Sequence, residues 1–157
     1  MMVDIQVKLG NIQNESDASD MLRMLSVYMH DPMGGEQSLS DELAKKNIDG
    51  LKKQSNYVFF LAYCNDELAG FANCFINFST FKAQQLINIH DFAVDPSFRR
   101  KGLGIAMINR IAEYCQENGL CKITLEVRFD NPGAQKLYKK LGFEEGEPAY
   151  HFWEKVI

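Results

Sequence analysis

The sequence predicts an α/β fold of the mixed α+β kind, with a central mixed sheet of six to seven strands flanked by four helices. Three observations carry that prediction. Short stretches rich in apolar and β-branched residues recur along the chain, and segments with apolar residues at helical spacing lie between them. Proline, glycine and asparagine cluster at the boundaries of these segments. The chain has 157 residues, 46% apolar and 24% charged, the composition of one ordinary folded domain spanning residues 1–157.

Residues 4–9 alternate apolar and polar side chains, as a half-buried strand does. Residues 15–28 place Met21, Leu22, Met24, Leu25 and Tyr28 on one helical face. The run Asp31-Pro32-Met33-Gly34-Gly35 must end that helix. A second helix is expected over residues 40–54, with Asp41 and Glu42 against its N-terminal dipole. Residues 57–64 and 68–78 read as an antiparallel hairpin turned by Asn65-Asp66-Glu67. Residues 86–94 form the next strand, halted at Asp95-Pro96.

Residues 102–118 are the clearest helix, with Leu103, Met107, Ile108, Ile111, Ala112 and Cys115 on one face. Gly119 stands where a left-handed C-terminal residue is wanted. Residues 122–128 are rich in strand formers, so residues 86–128 make a parallel, right-handed strand–helix–strand unit. Asn131 and Pro132 start a short helix that reaches Leu141 and stops at Gly142. Two further strands are expected, around Phe143 and over residues 149–156.

The net charge of −4 and pI near 5.4 argue against nucleic acid and anionic membranes as partners. The longest apolar run, residues 57–64, is too short to cross a bilayer. Met1-Met2-Val3-Asp4 has no basic stretch followed by an apolar one, so a cytoplasmic location is expected. Cys64, Cys74, Cys115 and Cys121 include no C-x-x-C pair, and no histidine joins them at ligand spacing. Reduced, inert thiols and no metal site are therefore expected.

The chemistry concentrates in Val94-Asp95-Pro96-Ser97-Phe98-Arg99-Arg100-Lys101-Gly102-Leu103-Gly104, between a strand and a helix N-terminus. Unpaired N–H groups and the helix dipole favour an anion there. Gly102 and Gly104 let a phosphate approach the main chain, and Arg99, Arg100 and Lys101 supply charge. A dinucleotide-binding turn would need glycine or alanine at position 107, which is Met107. A Walker loop would need Gly-Lys-Ser/Thr, which is absent.

The pattern Arg-x-x-Gly-x-Gly, from Arg99 to Gly104, resembles the pyrophosphate-binding motif of the GNAT superfamily of N-acetyltransferases. Ile89-His90-Asp91-Phe92-Ala93-Val94-Asp95-Pro96 is similar to that family's central strand, and Leu125-Glu126-Val127-Arg128 to the strand that follows. Asn131, Ala134, Leu137-Tyr138 and Leu141-Gly142-Phe143 resemble its next block, so the likeness covers residues 86–145. The resemblance implies a GNAT-like sheet whose two central parallel strands splay apart around acetyl-CoA as cosubstrate. By that likeness the main chain of Phe92, Ala93 and Val94 would bond the pantetheine amides. Arg100, Lys101, Gly102, Leu103, Gly104 and Ile105 would hold the pyrophosphate, and Asn131, Ala134 and Lys136 would touch the cosubstrate beyond it.

Tyr138 stands at the position of the family's general acid. Three side chains compete for the base. Glu126, in Leu-Glu-Val-Arg, is similar to the base of the ribosomal-protein N-terminal acetyltransferase branch. His90 and Asp91 resemble an acidic pair of the diamine acetyltransferase branch, with histidine departing from that pattern at the first position. Imidazole suits proton acceptance at neutral pH. Strand alternation puts His90 and Asp91 on opposite faces unless a β-bulge intervenes. A water chain could also serve.

The acceptor pocket is expected behind a lip of Tyr28, His30, Asp31 and Met33, with Ser79-Thr80-Phe81 and Tyr150-His151-Phe152-Trp153 as further candidates for its wall. Packing in the core or on an edge strand is the preferred expectation for the aromatic group. The leading reading is acetylation of a primary amine on a small molecule. Acetylation of a protein N-terminus or lysine, and a non-catalytic acyl-CoA-binding module, are the alternatives. The C-terminal strands are compatible with a homodimer.

Overall fold

The computed structural model describes residues 2–157, so Met1, the first residue of the segment read for a leader, lies outside the described residues. The chain runs β1 (Ile5–Leu9), α1 (Glu15–His30), α2 (Asp41–Leu51), β2 (Tyr57–Cys64), β3 (Glu67–Ser79), β4 (Gln84–Val94), α3 (Leu103–Glu117), β5 (Ile123–Leu125) and α4 (Pro132–Lys140). Short 3-10 turns occupy Pro32–Gly34 and Pro96–Phe98. The strands form one five-stranded sheet in the order β1-β2-β3-β4-β5, antiparallel except for the parallel pair β4–β5.

Local chemistry sets most of the boundaries. Asn14 caps α1 by accepting from the Asp17 N–H, and Ser40 Oγ caps α2 by accepting from Leu43. Asn131 Oδ1 caps α4 through the Ala134 N–H at 3.2 Å, with Pro132 in the first turn. Asn65 and Asp66, both at positive φ, make the tight β2–β3 turn. Gly119 ends α3 at φ 66°, as the sequence anticipates.

The sheet carries helices on both faces. Met21 and Met24 of α1 pack with Phe59, Leu61 and Phe71 on one side. Ile108, Ile111 and Cys115 of α3 pack with Phe60, Ala72, Cys74, Ile87 and Ile89 on the other. The four cysteines are free, and burial raises the Cys74 and Cys115 thiols. Leu61 is fully buried. Leu61→Ala is expected to destabilise the protein by about 2–5 kcal/mol, through lost burial and a residual cavity, measured as a lower urea midpoint at unchanged slope.

Two expectations need correction. The strand expected over residues 122–128 is paired only at Ile123–Leu125. The two strands expected around Phe143 and over residues 149–156 do not form, so the sheet has five strands rather than six or seven. Phe143 packs on the core, but every residue from 144 onward is exposed. Alternation gives that segment the side chains of a strand, and in this chain it meets no sheet edge.

A third feature lies inside β4. Asp91 pairs with Asn73 and Ile89 with Cys74, so His90 is an extra residue with no partner on β3. The bulge reverses the alternation. Ile87, Ile89 and Phe92 share the α3 face, while His90 stands edge-on to Phe75 at 5.7 Å and Asp91 accepts from Asn73. Phe75 and Asn73 are alternate residues of β3 and so share a face. His90 and Asp91 therefore both lie on the α1–α2 face, the exception that simple alternation allowed for.

Candidate active site

β4 and β5 pair at Ile87, Asn88 and Ile89 and then part. Beyond that point His90, Phe92, Ala93 and Val94 stand on one side of a cavity, and Glu126, Val127 and Arg128 on the other. The cavity measures about 540 Å³, a volume suited to an extended small molecule. Among the described residues, the stretch of β4 after Ile89 has no strand partner on this side, so its main chain can bond a ligand.

One end of the cavity is the turn into α3. Asp95 accepts from the Ser97 N–H at 2.8 Å and shapes the 3-10 turn. Arg100 (φ 63°) and Gly102 (φ 93°) are both left-handed, a backbone form that concentrates N–H groups into an anion-binding concavity. Gly102 caps α3 without a side-chain hydrogen bond, leaving the first N–H groups of the helix uncapped. Leu103, Gly104 and Ile105 of that first turn line the cavity. A Cβ on Gly104 would come 2.9 Å from Leu137 Cδ2, so glycine lets α4 close against the start of α3.

The three basic residues of this loop part company. Arg100 lines the cavity. Arg99 also lines it, but its Nε donates to the Val94 carbonyl and its Nη2 pairs with Asp31 Oδ2 at 2.6 Å. Burial would raise the Asp31 carboxyl, yet the Arg99 and Met33 N–H donors outweigh it and lower the net value. Lys101 does not line the cavity, and its ammonium sits 5.0 Å over the Phe98 ring. Asn131 and Ala134 line the wall formed by α4, whereas Lys136 is exposed and outside it.

Tyr138 projects from α4 into this wall at 8% exposure, edge-on to Phe92 and tilted against Phe143. Its hydroxyl has no protein hydrogen-bond partner among the described residues. Desolvation, then the nearby Tyr28, pushes its pKa up to about 12. The phenol stays protonated through the physiological range and can act as a proton donor. Tyr28 of α1 also lines the cavity, and its pKa is raised by burial and then by Asp91 and Asp31.

The base candidates occupy different settings. His90 and Glu126 line the cavity and are exposed to it. Asp91 does not line it, and one carboxylate oxygen accepts from Asn73 Nδ2 at 3.0 Å. Asn73 is itself 5% exposed and accepts from the Tyr57 hydroxyl at 2.7 Å. Tyr57 and Asn73 escape a sequence reading, because they meet Asp91 only through strand register. Of the expected lip, Tyr28, Asp31 and Met33 line the cavity and His30 does not. Ser79, Thr80, Phe81 and residues 150–153 are all outside it, which overturns their expected part in the wall. The same aromatics are also unpacked, with Tyr150, Phe152 and Trp153 at least 80% exposed. Among the described residues no cluster of three or more His, Cys, Asp or Glu could hold a metal.

Parallel strands that part above an uncapped helix N-terminus define a class of fold with main-chain donors left free along a cavity. Comparison with known proteins gives the class its name. The profile of the Acetyltransferase (GNAT) family matches residues 21–143, and the chain belongs to that family. It is 39% identical over 98 residues to an uncharacterized N-acetyltransferase of Methanocaldococcus jannaschii, a match covering 62% of this chain and 43% of that one. It is 36% identical over 89 residues to the [ribosomal protein bS18]-alanine N-acetyltransferase of Escherichia coli K12, covering 57% of this chain and 56% of that one. The chain thus spans about half the length of these relatives. An aminoglycoside acetyltransferase from an uncultured soil metagenomic sample superposes with a TM-score of 0.79 over 98% of this chain and 97% of that one. At 17% identity that likeness is one of fold. The ribosomal-protein-alanine N-acetyltransferase of Brucella melitensis biovar Abortus 2308 has a TM-score of 0.68 at 17% identity over 98% of each chain.

Proposed function

We propose that the protein is a cytoplasmic, acetyl-CoA-dependent N-acetyltransferase acting on a primary amine of a small molecule. The observation that carries this reading is the gap between β4 and residues 126–128, closed at one end by the uncapped start of α3. The fit to acetyl-CoA rests on the same chain groups. The N–H groups after Arg100 would bond the pyrophosphate, and the free edge of Phe92, Ala93 and Val94 would bond the pantetheine amides. Asn131 and Ala134 would flank the cosubstrate on the α4 side.

In the reaction a neutral amine attacks the thioester carbonyl carbon, the C–N bond forms and the C–S bond breaks. The amine proton passes to His90 or Glu126, directly or through water, and the leaving thiolate takes its proton from Tyr138. Asp91 would attract the cationic amine from the α1–α2 face, held by Asn73. Tyr28, Asp31 and Met33 line the α1 side of this cavity, and the reading of a small acceptor draws on that wall.

A second reading is acetylation of a protein N-terminus. It draws on the 36% identity to the bS18-alanine enzyme and on Glu126 in the cavity wall. Free-thiol release from acetyl-CoA, followed with a polyamine, an amino sugar and an alanine-first peptide, separates the two. Turnover of the polyamine or amino sugar above the peptide is expected. Turnover of the peptide alone would replace the first reading with the second, and none with any of them would remove both. With the acceptor so found, kcat of His90→Gln and of Glu126→Gln assigns the base: the replacement that lowers it by about 10²-fold or more marks the proton acceptor, and two unchanged values would favour a water chain.

A further inference from the structure

Of the three cations in the loop before α3, Arg99 is the one with an ion-pair partner among the described residues. Its Nη2 meets Asp31 Oδ2 at 2.6 Å, and its Nε donates to the Val94 carbonyl at 3.2 Å. Asp31 stands at the end of α1, 68 positions earlier. Its other oxygen, Oδ1, accepts from the Met33 N–H at 2.9 Å. One carboxylate thus fastens the lip after α1 to the turn that enters α3. Both Asp31 and Arg99 line the cavity.

The Val94 carbonyl gives this contact its consequence. Val94 C=O and Asp95 N–H belong to one trans peptide and so point opposite ways. The N–H donates to the Ala69 carbonyl of β3 at 2.8 Å. The Val94 carbonyl therefore points away from β3, into the gap beyond the last β4–β5 pair. It is the final acceptor on the open edge of β4, and Arg99 occupies it.

We propose that Asp31 and Arg99 form a clasp that closes the diphosphate end of the cavity until the cosubstrate opens it. This inference rests on reading the start of α3 as the diphosphate site. In the closed form the guanidinium covers the Val94 carbonyl, and Asp31 balances its charge. A diphosphate at the α3 turn competes with the Asp31 carboxylate for the same guanidinium. Arg99 then turns to the phosphate and frees the carbonyl for the pantetheine arm. The pair is weak enough to exchange, because the Arg99 side chain is 51% exposed and ion pairs open to solvent contribute little. The closed form lowers the apparent affinity for the cosubstrate in proportion to the fraction of molecules it holds.

The test is calorimetric titration of CoA into wild type, Asp31→Asn, Arg99→Gln and the double variant. Asparagine keeps an oxygen for the Met33 N–H, so the turn after α1 stays capped. Asp31→Asn is expected to tighten CoA binding by about 3- to 10-fold, because Arg99 no longer has to be drawn off a carboxylate. Arg99→Gln should weaken binding, and the double variant should match Arg99→Gln alone. Affinity in Asp31→Asn equal to or below that of wild type would overturn the clasp. A tightening of the same size in the Arg99→Gln background would overturn it too, since Asp31 would then repel the ligand without acting through Arg99. A wild type that binds no CoA would remove the diphosphate reading, and the clasp with it.

Discussion

Replacement of Tyr138 by phenylalanine is expected to lower kcat by about 10²-fold or more and to leave acetyl-CoA affinity nearly unchanged. The ring stays seated between Phe92 and Phe143, so the cavity keeps its wall. What is lost is the hydroxyl that the proposed mechanism makes the proton donor to the departing sulfur. The raised pKa, about 12, adds a second readout. A donor held this high in the free enzyme adds no alkaline limb to wild-type kcat/KM through the physiological range. Steady-state turnover at saturating acetyl-CoA and calorimetric affinity measure both halves. Unchanged turnover would remove Tyr138 from the chemistry.

The largest effect on binding is expected at Gly102. Its φ of 93° suits glycine, and a Cβ there would meet nothing closer than Ile5 Cδ1 at 3.7 Å. Gly102→Val therefore acts first through backbone strain. Strain of this kind costs about 1–3 kcal/mol, and it depopulates the loop form that gathers the N–H groups. Affinity for CoA should fall by about 10- to 100-fold. Leu103, Met107 and Ile111 anchor α3 in the core, so the variant should remain folded by circular dichroism. Calorimetric titration decides it, and undiminished affinity in a folded variant would refute the loop's assignment.

What could be read in the sequence was whatever a few neighbouring residues decide among themselves. Asn131 with Pro132, Gly119 after α3, and Gly102 before it each answer a local backbone demand, and each appears where expected. The hairpin at Asn65 and Asp66 is equally local. The failures share a different cause. Residues 149–156 have a strand's alternation, but a strand forms only by pairing, and this segment pairs with neither edge of the sheet. The Tyr57–Asn73–Asp91 chain of hydrogen bonds joins three strands, and no spacing in the sequence encodes it. Arg99 reads as a phosphate ligand from its neighbours, while its partner Asp31 lies 68 positions earlier.

The bulge in β4 gives His90 a role separable from its imidazole. By occupying a place without a partner on β3, it sets the count that turns Phe92 toward α3 and Asp91 toward α1. Any residue at position 90 preserves that count. Removing the position altogether would leave Ile89 and Asp91 consecutive on opposite faces, where they already stand, so Asp91 would keep Asn73 and Phe92 would keep the ring of Tyr138. What would go is the kink of the bulge, just past the last β4–β5 pair at Ile89. The damaging change is the opposite one: drawing the strand straight with residue 90 kept would turn Asp91 to the side of Ile89 in the apolar core.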